Sequence, residues 1–246
     1  MQTASITRKL HKWIFLFVGV QALLWTLSGA YMVVMDLDFI HGDHLVKNLN
    51  EPLPTATAGL FPTSELLRDR TDVKSVQLMS IREKLFYVVR DSDGAHLLDA
   101  HSGVENSPLD RKTAIALAEH YYSGDLPAAS AVLISENPPT ELQSRPLPLW
   151  RVDFDDRYGT SLYIDPNTGA LATRRHDYWR AFDFFWMLHI MDYEARENIH
   201  NPLLLIATLF SLVSVLAGLV LLFYSFGQRG TAKSRQQHQQ EQEASA

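Results

Sequence analysis

The sequence predicts an α+β membrane protein in which two transmembrane helices flank an extracytoplasmic domain built of two helix-plus-antiparallel-sheet repeats. Three observations carry this prediction. Two long uncharged runs lie toward the ends of the 246-residue chain. Short stretches between them alternate apolar and polar side chains, the pattern of half-buried antiparallel strands. The middle of the chain also shows a helix followed by three strands twice over, each set closed by a glycine turn.

The spans follow from length. Ile14 to Met35 is 22 residues without a charge, and Leu203 to Phe226 is 24. A helix of about 20 apolar residues crosses a bilayer core. Arg8, Lys9 and Lys12 precede the first run, and Arg229, Lys233 and Arg235 follow the second. Basic residues favour the cytoplasmic side, so both termini are expected inside and the middle outside, in the inner (plasma) membrane. The first run is too long for a signal-peptide core and is read as an uncleaved anchor. The expected segments are a cytoplasmic N-terminus (1–13), a span (14–35), an outer domain (36–177), an interfacial aromatic helix (178–201), a second span (202–226) and a disordered cytoplasmic tail (227–246).

Composition removes several function classes. The chain has no cysteine, which excludes disulfides, thiolate zinc sites, cysteine-ligated iron–sulfur clusters and covalent c-type haem. Its net charge of -6 offers no basic patch for nucleic acid. No G-x-S-x-G, H-E-x-x-H or P-loop occurs, so no catalytic constellation is apparent.

The repeats are expected at about 61–106 and 107–173. In the second, Asp110 is placed to cap a helix in which Ala114, Leu117, Ala118 and Tyr121 recur at helical spacing. Leu85, Tyr87 and Val89 alternate with Phe86 and Val88, and Trp150, Val152 and Phe154 alternate with Arg151 and Asp153. "DSDG" and "DDRYG" read as hairpin turns, because Gly94 and Gly159 tolerate positive φ. "DAHSG" and "DPNTG" read as turns ending the third strands, and "ENPPTELQSRPLP" as a proline-rich loop.

"RKTAIALAEHYY", "LWRVDFDD" and "SLYIDPNTGAL" together resemble the PepSY domain, and the first repeat resembles a diverged copy. With "RKLHKW" ahead of the first span, the chain resembles PepSY-associated transmembrane proteins. The resemblance implies an α+β module without catalytic residues. It also implies association either with peptidase regulation or with haem-containing membrane electron transfer.

"DPNTGALAT" approaches the motif on which enzymes attach FMN through a threonine phosphoester, but Leu171 occupies the acceptor position. Leucine has no hydroxyl, so no covalent flavin is expected, and a turn accounts for the Asp and Gly. Asp153, Asp155 and Asp156 read as a solvated hairpin tip rather than a cation site, and no metal site is expected.

Histidines are the remaining candidates for a cofactor, a b-type haem. His11 matches the histidine of the family's entry sequence, although Phe15 stands where the family usually has glycine. His41 and His44 follow the first span; His189 and His200 precede the second. Helical rise puts His11 roughly 30 Å from the outer set, too far to share one iron. On a continuous helix His189 and His200 would be about 16 Å apart. The sequence therefore favours His200 paired with His41 or His44, and His189 next. The aromatic stripe of Trp179, Phe182, Trp186 and Tyr193 around His189 reads as an interfacial helix. The expected function is a non-catalytic accessory or redox subunit of a membrane electron-transfer system, with lipid and other membrane or extracytoplasmic proteins as partners. The alternative is an extracytoplasmic module that regulates or chaperones a peptidase or another client.

Overall fold

The structure, a computed structural model, describes residues 2–54, 58–68, 70–216 and 218–219, with side chains from Trp13 onward except Ile14. The chain divides into two units, Met1–Ala30 with Trp186–Ala246, and Tyr31–Phe185.

Helix α1 (Gln2–Val34) contains the one membrane-length apolar stretch among the described residues, Phe15–Val34, at mean hydropathy 1.6. The second expected span appears as a shorter apolar helix, α6 (Pro202–Leu216); residues 220–226 lie outside the described residues, as does the expected tail. Pro202 occupies the first position of α6, where a missing N–H costs nothing, and Asn201 accepts from the Leu204 N–H at 2.8 Å as the cap. Leu205, Leu209, Leu212 and Val213 of α6 are exposed, as are Leu16, Val20, Leu23 and Leu27 of α1. Side chains this apolar on the outside of a helix suit lipid, not water.

The second unit begins with the last turn of α1 and continues into α2 (Leu37–His41). Asp36 caps it by accepting from the Phe39 N–H at 2.8 Å, and Gly42 closes it at φ 74°. The first repeat is α3 (Thr63–Leu66) with β1 (Ser75–Ile81), β2 (Lys84–Arg90) and β3 (Ala95–Asp99), an antiparallel sheet in the order β1-β2-β3. The second is α4 (Arg111–Tyr121) with β4 (Ala128–Ile134), β5 (Leu149–Phe154), β6 (Ser161–Ile164) and β7 (Leu171–Arg175), in the order β4-β5-β6-β7. Asp110 caps α4 through the Thr113 N–H, and Ala114, Leu117, Ala118 and Tyr121 form its buried face.

The second sheet has four strands where three were expected. "DPNTG" does not terminate the sheet; it is the hairpin between β6 and β7, closed by the Gly169 N–H on the Asp165 carbonyl at 2.8 Å. β7 lacks the alternating apolar signature because its side chains are mostly polar, so periodicity could not mark it. The first repeat keeps a remnant of the same strand: after "DAHSG" the chain returns to an isolated bridge between Leu98 and Glu105.

β2 is buried on both faces rather than one. Leu85, Tyr87 and Val89 pack with Leu66 and Leu98 on one side. Val88, with Ile81 and Leu97, joins α4 and Val152, Phe154, Leu162 and Ile164 of the second sheet in the main core. The proline-rich loop is also part of the packing: Leu142 is fully buried with Leu149 and Tyr163.

Gly169 tests the hairpin. Its φ is 70°, and an added Cβ would meet Leu117, Ile81 and Leu109 at 3.2–3.5 Å. A left-handed backbone costs an L-residue about 1–2 kcal/mol. Gly169→Ala should therefore lower stability by at least that amount, read as a drop in melting temperature. Gly19→Ala, with nothing within 4 Å, serves as the matched control.

Candidate functional site

On α1, Gln21, Trp25 and Ser28 recur at four- and three-residue spacing, placing the polar side chains of an apolar helix on one face. Gln21 and Ser28 are buried, and no partner for Gln21 Nε2 occurs among the described residues. The C-terminal end of α5 (Asp177–Ile190) meets this face within the first unit. Ser28 Oγ lies 2.9 Å from His189 Nδ1, and Trp25 Nε1 donates to the His189 carbonyl at 2.8 Å. The ring lies over Gly29, where a Cβ would stand 3.7 Å from His189 Cε1, an ordinary van der Waals contact.

Ser28 Oγ is also 2.7 Å from the Leu24 carbonyl. When the hydroxyl proton goes to that carbonyl, the oxygen accepts from Nδ1–H, and Nε2 is the nitrogen that faces away from the serine. A ring fixed through one nitrogen with the other free is the arrangement in which histidine serves as a metal ligand.

The loop after α5 is tightly tied. Met191, at φ 55°, ends the helix well before residue 201, so Tyr193 falls off the aromatic stripe and is exposed. The Asp192 carboxylate accepts from the backbone N–H groups of Glu194, Ala195, Glu197 and Asn198. These bonds, Asn198's most, hold its carboxyl below the usual aspartate range. Asn201 donates to the Ile190 carbonyl at 2.8 Å. His200 is exposed at the end of this loop, and no ring partner for it occurs among the described residues.

In the second unit, His41 is exposed and contributes its carbonyl to Arg174 Nε at 2.9 Å. His44 stacks on Phe39 with ring centroids 4.9 Å apart. Beside it lies a histidine that sequence reasoning missed, His176, fully buried. Its Nε2 donates to the Ile40 carbonyl at 3.0 Å, and burial lowers its pKa. It joins α2 to the β7–α5 corner, a structural role. The side chain of His11 lies outside the described residues. Thus the described candidates each have their own surroundings, and among the described residues His189 is the candidate held by a side chain of the apolar helix α1. Polar groups at i, i+4 and i+7 in an uncharged run were the available signal.

Between the repeats a cleft of about 560 Å³ is lined by Lys84, Phe86, Asp99, Asn106, Leu109 and Thr113, among others. The acids at the β5–β6 hairpin are internally satisfied: Asp156 accepts from Thr160 and Tyr122, and Asp153 from Ser130 and Ser161. No group of three or more metal-ligating side chains occurs among the described residues.

A comparison with protein-family models matches the PepSY-associated TM region over residues 8–243. The chain belongs to the PepSY-associated transmembrane family. Searches of curated proteins and of solved structures gave no match. Membership and the apolar α1 identify a membrane protein of the PepSY class in contact with the lipid bilayer. Were a haem to bind, His189 is the candidate imidazole that a neighbouring side chain already holds, and no second histidine is joined to it among the described residues.

Proposed function

We propose that this PepSY-associated protein is a non-catalytic accessory subunit of a membrane electron-transfer system. In this reading it spans the membrane twice, its PepSY domain lies outside, and His189 is the ligand it offers to a b-type haem. The bond between Ser28 and His189 supports this reading, because it joins a buried polar side chain of the apolar helix α1 to an ionisable group on α5, and ionisable groups packed against a span mark functional sites. Haem, when bound, supplies one-electron transfer. The chain contributes orientation: Ser28 meets Nδ1 of the ring, and Trp25 holds the backbone of His189.

An absorption spectrum of the detergent-purified protein, expressed with ample haem, tests the proposal. A Soret peak and a reduced α band are expected. A colourless protein would sink the redox reading and leave the binding-module reading, which the cleft between the repeats favours. In that case Lys84 and Phe86 would line the client site outside the membrane.

The orientation has its own test. Alkaline phosphatase fused after Ala100 should be active, and a cytoplasmic reporter fused after Arg235 should also be active. The opposite pattern would reverse the topology.

A further inference from the structure

We propose that the pocket at the edge of β7, roofed by the loop around Arg145 and by the start of α5, binds the phosphate group of an anionic lipid headgroup. The pocket measures about 210 Å³ and is lined by Arg145, Arg174, Arg175, His41 and Trp179, with the backbone of β7 as its floor. Drug-sized ligands occupy roughly 300–1,000 Å³, so this volume suits one small polar group rather than a whole ligand.

Three guanidinium groups converge here, and the ion pairs among the described residues include only one of them, Arg174 with Asp43. Arg145 directs Nε at the Ala172 carbonyl at 3.4 Å. Arg175 is 5% exposed and donates to neutral oxygens: the Glu141 carbonyl at 2.8 Å, the Thr173 hydroxyl and the Arg174 carbonyl. The carboxylate of the neighbouring Glu141 is engaged by Arg180 and Tyr163. Burial, and then the neighbouring Arg145, hold the Arg175 pKa down to about 10 against the opposing pull of Glu141, Tyr163 and Asp183. Trp179 fixes the plane of Arg175 from below, 3.8 Å from guanidinium carbon to ring centroid. With Nε and Nη1 taken by protein oxygens, Nη2 is the donor Arg175 has left for an anion, beside the guanidinium groups of Arg145 and Arg174.

The lipid is the source favoured by the chain's own connections. Trp179 precedes His189 by ten residues on the single helix α5, about 15 Å of rise. His41 follows Val34, the last residue of the membrane-length helix, by seven residues, a reach of at most about 25 Å. Both walls of the pocket are therefore tethered within reach of headgroups, and tryptophan is enriched at that level. The inference does not depend on haem.

Native mass spectrometry of the full chain in detergent tests it, with phosphatidylglycerol and phosphatidylcholine as probes and inorganic phosphate as a separate titrant. Phosphatidylglycerol should be retained about tenfold more tightly than phosphatidylcholine, and Arg145→Gln should remove that preference. Arg145 is half-buried with one long hydrogen bond, so the variant should fold, whereas buried Arg175→Gln requires a parallel unfolding curve. Lys112→Gln, on the surface of α4, should change nothing. If inorganic phosphate binds in an Arg145-dependent way and phosphatidylglycerol does not, the lipid assignment is overturned in favour of a free phosphate. If neither binds, or if Arg145→Gln leaves lipid retention unchanged, the site itself is overturned.

Discussion

Glu141→Ala is expected to destabilise the sheet-bearing unit by about 3 kcal/mol. Its carboxylate is mostly buried, takes Arg180 Nε at 2.6 Å and Nη2 at 3.3 Å, and accepts from the Tyr163 hydroxyl. Removing one partner of a buried pair leaves the other charge uncompensated, at a cost of about 3–5 kcal/mol. The low end applies, since Arg180 keeps Asp177 and the Gly159 carbonyl. Tyr163→Phe removes one hydrogen bond and should cost about 1 kcal/mol. Chemical denaturation should show both as shifts in midpoint at unchanged slope, with the Glu141 shift the larger. Equal shifts would mean that the carboxylate is not the hub.

The same network predicts a pH dependence. Burial would raise the Glu141 pKa, but hydrogen bonds from Arg180 and Tyr163 outweigh it and hold the carboxyl below the usual glutamate range. A carboxyl whose folded pKa is depressed adds stability above its unfolded pKa, about 4.3, and loses it as pH falls through the folded value. The stability difference between wild type and Glu141→Ala should therefore be constant near neutrality and shrink below about pH 4.

His189→Ala should abolish the reduced α band of a haem-loaded preparation. Ser28→Ala should leave a weaker, broader band, because an imidazole that loses its orienting partner typically loses about 10–100-fold in metal affinity. His41→Ala and His44→Ala should leave the spectrum intact: the first side chain is exposed and the second is engaged in ring packing with Phe39. If only His200→Ala bleaches the protein, the ligand lies at the entry of α6, as spacing alone suggested. If only His11→Ala does so, the haem lies at the other end of α1.

Much of this was legible in the chain. The uncharged run before Met35, the cap at Asp110, the buried face of α4 and the glycine turns are local facts, and local physics suffices for them. Other features needed the folded chain. β7 carries the sequence LATRR, whose strand state comes from hydrogen bonds to β6 and not from an apolar pattern. The second buried face of β2 exists only because α4 and the other sheet cover it. His200 and His189 look alike from sequence spacing. Only the packing of α5 against Trp25 and Ser28 distinguishes the exposed ring from the oriented one. Arg145 and Arg175 are thirty residues apart and meet only when a proline-rich loop folds over an edge strand. Periodicity reports which face of an element is apolar; which element arrives at that face, and which charges it brings, is decided by long-range contacts that no short window of sequence contains.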